Sequence, residues 1–319
     1  MEYVVNVVQI LKSEESSICI MNVFIIFYSF SLSKDERTTV AVSHVVRGLR
    51  QNISSAMEAS EAHKTKLLES KKLILLLDLD LTVIQATRGP ESEKTIPPAL
   101  KKYSKLEETI HHFFAKESYW IKLRPGAKEF IATISQMFEI HVYTASEREY
   151  ADQIIALLDP ENRYFQGRVL TRTESPHHKQ KYIQRLFPFS VELVLIVDDS
   201  NRAWISDEGL YHLYNIHPFI FFKQGSNSTL ITAPSDVKEP EETDKIPDLY
   251  WINKAAWKDD ELPFCLEALT KVHQSFFSRE QRISVNHVLS NIRSQVLKGV
   301  HILFSNIFPK TDKPEELVY

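Results

Sequence analysis

The stretch Lys72-Leu-Ile-Leu-Leu-Leu-Asp78-Leu-Asp80-Leu-Thr82 decides how this chain folds. Leu73–Leu77 is an unbroken apolar run of five residues, the length of a strand covered on both faces, as strands of a parallel sheet are. The run stops on Asp78, and a second carboxylate follows at Asp80. Residues i and i+2 of an extended segment point to one side. Both acids are therefore expected in one crevice beyond the carboxyl end of the strand, where parallel sheets hold ligands. Two ionised carboxylates that close repel, and one takes up a proton unless a cation intervenes. A hard cation such as Mg2+ answers that repulsion, and so does a division of labour between nucleophile and acid.

Working outward, a second apolar and β-branched run, Val191–Val197, also stops on acids, at Asp198-Asp199. A single Asp at a strand end is ordinarily a turn or a helix cap. Two pairs, each closing a buried run, place four carboxylates at one rim of a sheet. A phosphate there needs donors. Thr144, ending the expected strand Glu139–Thr144, offers a hydroxyl, and Lys181, 17 residues before Asp198, offers a point charge. Arg124, in the run KLRPG, is a second candidate cation with bidentate reach. His177-His178 sits in a loop containing Pro and Ser and reads as surface, while Trp204 and Phe165 read as packing.

Between these points strands alternate with helices. Ala127–Met137 places Phe130, Ile131, Ile134 and Met137 on one helical face. Ser146 and Glu149 form a capping-box pair opening a helix that ends at Asp159-Pro160. Tyr211–Ile216 is the expected last strand. The alternation predicts an α/β fold, a parallel sheet with helices on both faces. Residues 85–118, rich in Pro and charge, read as an insertion carrying one short helix near Leu106–Phe114. Weak helical patterning occurs over Val40–Leu49, and an amphipathic helix runs from Leu262 to Phe276. Residues 233–248 hold three prolines and six acids and read as a solvated linker.

With 43% apolar and 25% charged residues the composition is that of a globular protein. A net charge of −4 provides no global field for nucleic acid or an anionic membrane. Two cysteines make no disulfide framework, and with seven glycines neither a dinucleotide-binding nor a Walker-type loop occurs. Ile18–Phe30 is strongly apolar but spans 13 residues, short of the ~20 needed to cross a bilayer as a helix. It is expected as a buried strand or helix, with an incorrectly assigned chain start and a membrane anchor or signal as the alternatives.

These residues resemble the haloacid-dehalogenase superfamily and, within it, the TFIIF-associating phosphatases of the RNA polymerase II C-terminal domain. The resemblance rests on DLDLT (78–82), Thr144, Lys181 and Asp198-Asp199, and on KLRPG (122–126), VYTASEREYADQI (142–154), LLDP (157–160), FQGRVLTR (165–172), RLFP (185–188) and VDDSNRAW (197–204). It implies a Rossmann-like sheet with a small insertion after the first core strand and a truncated BRCT-like tail. The implied organisation is an N-terminal extension (1–66), a phosphatase domain (67–225), an acidic linker (226–250), a helical segment (251–290) and an incomplete BRCT-like start (291–319). It implies Mg2+-dependent hydrolysis of phosphoserine in the polymerase tail, in the nucleus, with TFIIF as a further partner. By that resemblance Asp78 is the nucleophile and Asp80 the general acid and base. Thr144 and Lys181 would hold the phosphoryl oxygens, with Thr82 and Arg124 as further substrate contacts. Asp78, the Asp80 backbone carbonyl and Asp199 would hold the metal, with Asp198 in support. The rival readings are a weakly active phosphopeptide-binding relative and a membrane-anchored phosphatase.

Overall fold

The computed structural model describes residues 39–41, 50–88, 110–175, 180–204, 209–222, 256, 258–278, 283–296 and 298–300. The apolar segment Ile18–Phe30, His177-His178, the linker 226–250 and residues 301–319 of the expected BRCT-like start lie outside them.

The apolar run forms β3 (Leu73–Leu77), buried at every position. It is the middle strand of a five-stranded sheet whose other members are β7 (Phe138–Tyr143), β8 (Val169–Leu170), β9 (Val194–Asp198) and β10 (Leu213–Asn215). Their order is β10-β9-β3-β7-β8, and all neighbours run parallel. The register pairs Leu77 with Val142 on one side and with Val197 on the other. Asp78, Tyr143 and Asp198 therefore come level at one rim. Two buried hydrophobic runs placed side by side in this way bring both acidic pairs together.

Helices flank the sheet. They are α1 (Ile53–Glu69), α2 (Ala127–Met137), α3 (Arg148–Leu158), the one-turn α4 (Ile183–Leu186) and α5 (Gly209–His212), α6 (Glu261–Phe277) and α7 (Val285–Val296). One hydrophobic core joins β3, β7 and β9 to Phe130, Ile131 and Ile134 of α2, to Ile154 and Leu158 of α3, and to α6 and α7. From α6 come Leu262, Cys265, Leu269, Val272 and Phe276, and from α7 Val285, Val288 and Leu289.

The insertion differs from expectation. Instead of a helix near Leu106–Phe114, Ile110–Ala115 is a strand, β5, in a three-stranded antiparallel sheet with β6 (Glu117–Leu123) and β4 (Ile84–Arg88), in the order β4-β6-β5. Cross-strand pairs such as Phe113–Tyr119 reward extended backbone here, and strand preference is largely such context. Two smaller differences lie beside the parallel sheet. Tyr211 and His212 complete a helical turn, and the last strand begins at Leu213. Val191–Leu193 is a 3-10 turn before β9. Among the described residues the first helix is α1, opened by Asn52, whose Oδ1 accepts from the Ser54 N–H at 2.9 Å; Val40 and Ala41 lie in the short strand β1 (Thr39–Ala41), paired with β2 (Arg50–Asn52), and the rest of the weak helical pattern, 42–49, lies outside the described residues.

Candidate active site

The strand β3 ends at Leu77; Asp78, whose N–H still bonds the Val197 carbonyl at 3.0 Å, and Asp80 stand just beyond it, ahead of a tight turn over Leu81–Val83. The amides of Thr82, Val83 and Ile84 converge on the Leu79 carbonyl. Leu81 sits at φ 63°, the left-handed region that a branched-chain residue occupies only under constraint. Both acids line one cavity of about 880 Å3.

Thr144, Lys181, Asp198 and Asp199 line the same cavity. Lys181 is the hub. Its Nζ donates to Asp78 Oδ1 at 2.6 Å and to Asp198 Oδ2 at 2.6 Å, and its backbone N–H is held by the Ala203 carbonyl at 2.8 Å. Burial alone would lower the Lys181 ammonium; Asp198 and Asp78 more than offset that and hold it above its ordinary value. Asp198 is nearly saturated with donors. Its Oδ2 also accepts from Trp204 Nε1 at 3.0 Å, and its Oδ1 accepts from the Ser200 N–H at 2.8 Å. Trp204 is fully packed, as expected, and orients this carboxylate as well. Thr144 is buried, and its Oγ1 accepts from the Ser146 N–H at 3.1 Å.

Asp78, Asp198 and Asp199 each present one oxygen such that all three lie within 4.8 Å of one another. Among the described residues the cation hydrogen-bonded to these buried carboxylates is Lys181, an imbalance that a buried site tolerates only with a further cation or a proton. The same imbalance appears in the acids themselves. Burial first, then the neighbouring Asp198 charge, pushes Asp78 well up against the pull of Lys181, and pushes Asp199 up to about 6. Three clustered oxygen donors with a charge deficit fit a hard divalent cation.

The Asp80 side chain stands apart from this group. Its Oδ2 accepts from Ser146 Oγ at 2.7 Å and its Oδ1 from the Tyr150 hydroxyl at 2.5 Å. Sequence reasoning singles out neither partner as a site residue. It makes Ser146 a helix cap, yet α3 starts at Arg148 with Glu147 at its N-cap position and no side-chain cap. The capping pattern conceals a hydroxyl committed to Asp80.

Two candidates are not brought into the cavity. Arg124 is 1% exposed, and its Nε and Nη2 form a fork on Asp259 at 2.7 and 3.0 Å while Nη1 donates to the Thr82 carbonyl at 2.9 Å. With its donors so engaged, it ties the loop after β6 to the start of α6. Thr82 is fully buried, and its Oγ1 accepts from the Asp199 N–H at 3.2 Å. It shapes the backbone of a cavity residue without lining the cavity.

Residues 73–239 match the family of NLI interacting factor-like phosphatases. The chain belongs to that family. The carboxylate turn, Thr144, Lys181 and the second acidic pair all fall within the matched residues of this NLI interacting factor-like phosphatase. It is 32% identical over 293 residues to an RNA polymerase II C-terminal domain phosphatase of Caenorhabditis elegans, covering 88% of this chain and 41% of that one. The RNA polymerase II C-terminal domain phosphatase of Encephalitozoon cuniculi is 30% identical over 299 residues, covering 78% of this chain and 69% of its own. The chain thus spans about two fifths of the nematode relative and about two thirds of the microsporidian one. Among solved structures, Fcp1, an essential RNA polymerase II CTD phosphatase, superposes with a TM-score of 0.60 over 80% of each chain at 21% identity, a likeness of fold.

Proposed function

We propose that the chain is a Mg2+-dependent phosphoprotein phosphatase that works through an aspartyl-phosphate, with phosphoserine in the RNA polymerase II C-terminal repeats as substrate. The observation that carries this is the convergence of Asp78, Asp80, Thr144, Lys181, Asp198 and Asp199 on one cavity. The names of the relatives support the choice of substrate, and a nuclear site of action follows from it. TFIIF is a candidate partner on the resemblance alone.

In the first half-reaction an Asp78 carboxylate oxygen attacks phosphorus, the phosphorus–Oγ bond of the serine breaks, and Asp80 gives its proton to the departing oxygen. In the second, water attacks phosphorus, the bond to Asp78 breaks, and Asp80 takes the proton of the water, releasing inorganic phosphate. Lys181 and Thr144 hold the phosphoryl oxygens, and Asp198 keeps Lys181 aimed. Asp78, Asp199 and Asp198 would hold the divalent cation, to which Asp80 could add its backbone carbonyl because its side chain is engaged elsewhere. When bound, that ion neutralises charge on the phosphoryl group and on the carboxylates around it.

The test is hydrolysis of a phosphoserine peptide with Mg2+, with a chelator, and by Asp78→Asn. Turnover is expected to fall at least about 10³-fold in the variant, because no covalent intermediate forms. Full activity in the variant or in chelator would refute the mechanism.

A further inference from the structure

Asp80 has to hold its carboxyl group toward the leaving oxygen in one half-reaction and toward water in the next. The structure gives it two hydroxyl partners, one on each oxygen: Ser146 at 2.7 Å and Tyr150 at 2.5 Å. A hydroxyl can donate to a carboxylate and accept from a carboxylic acid. This pair can therefore hold Asp80 in either protonation state, which a fixed donor such as an amide could not.

Tyr150 is itself held from outside the parallel sheet. It sits in the first turn of α3, 6% exposed. Two rings of the insertion sheet close on it: Tyr119 of β6, with centroids 4.9 Å apart, and Phe113 of β5, at 5.9 Å. Those two rings are 5.8 Å from each other. Aromatic rings at this spacing attract each other beyond the burial of their area.

We propose that Ser146 and Tyr150 are positioning residues for Asp80, and that Phe113 and Tyr119 make the insertion sheet part of that device by fixing the Tyr150 ring. The proposal rests on the phosphatase reading above and adds to it a task for the insertion. Neither hydroxyl touches phosphorus; each acts through Asp80.

The leaving group separates this role from a structural one. Serine alkoxide departs poorly without a proton, whereas 4-nitrophenolate departs readily without one. We would measure kcat/KM, which covers the chain of events through departure, for a phosphoserine peptide and for 4-nitrophenyl phosphate with Mg2+ present. For Tyr150→Phe the loss on the peptide is expected to be at least about fivefold greater than the loss on the aryl ester, and Asp80→Asn should show the same bias more strongly. Ser146→Ala should follow Tyr150→Phe, and Ser146→Thr should restore the peptide rate. Phe113→Leu, which does not line the cavity, should show the bias in weaker form. Equal losses on both substrates in Tyr150→Phe and Ser146→Ala, with Asp80→Asn still biased, would overturn the positioning role alone. An Asp80→Asn protein with no bias would overturn the phosphatase reading and this proposal with it. Thermal unfolding of each variant separates either result from misfolding.

Discussion

On the proposed reading, proton and metal compete for a single side chain, Asp199. Burial, and then the charge of Asp198, raises its carboxyl to about 6 from an ordinary value of 3.8. A divalent cation requires the ionised form. At about pH 5 only about a tenth of the carboxyl is ionised, so Mg2+ affinity is expected to be about tenfold weaker there than above about pH 7. The sign for stability is opposite in chelator. The folded state keeps this proton to higher pH than the unfolded chain, so the contribution is present below about 3.8 and lost as pH rises through about 6. Calorimetric titration of Mg2+ across that range checks the first statement, and thermal unfolding with a chelator checks the second. A flat affinity profile would remove Asp199 from the metal site. Ser146 teaches a related lesson about single residues. Its spacing to Glu149 satisfies a helix-cap pattern, and only the fold reveals that its hydroxyl faces Asp80, 66 positions earlier.

Among the elements, the parallel sheet was legible because its strands are buried on both faces and therefore wear an unmistakable composition. The insertion was not. The burial of β5 alternates from His111 to Ala115, but the hydropathy of Ile-His-His-Phe-Phe-Ala does not, and the pairing with β6 that holds it extended is not visible within the segment itself. Arg124 makes the same point between elements. Its cationic fork suggests a substrate contact, but the partner is Asp259, 135 positions away, which joins the loop after β6 to α6. Breaking this buried pair leaves Asp259 and the Thr82 carbonyl without their donor. Arg124→Met is expected to cost about 3 kcal/mol, the lower end for such pairs because Asp259 is partly exposed. Denaturant unfolding measures that cost. For the folded fraction KM should stay within about twofold of the parent, since the guanidinium does not line the cavity; a KM increase with unchanged stability would restore Arg124 as a substrate contact.

For the molecule as a whole, the sheet core extends to α6 and α7, well beyond the acidic linker. Together they bury eight apolar side chains in it, Cys265 included. At about 1.5 kcal/mol or more for each fully buried side chain, their contribution is on the order of 10 kcal/mol, comparable with the total stability of a domain. A fragment of residues 67–225 is therefore expected to lack a cooperative thermal transition, whereas a fragment of residues 50–300 should unfold in one step. Calorimetry on the two decides it. An independently folding 67–225 would show that the helices decorate a core that is already complete. The insertion sheet is integrated in the same sense, through Phe113, Tyr119 and Tyr150.

Taken alone, the amino-acid order determined the parallel sheet and the rim that gathers the acidic pairs with Thr144 and Lys181, because hydrophobic runs that end in carboxylates carry their meaning locally. Tertiary structure alone decided which polar groups meet across long separations. It turned Arg124 and Thr82 into supports, gave Asp80 its two hydroxyls, and drew α6 and α7 into the core. The physical reason is that burial is written residue by residue, while a hydrogen-bond partner is chosen only when distant segments are packed together.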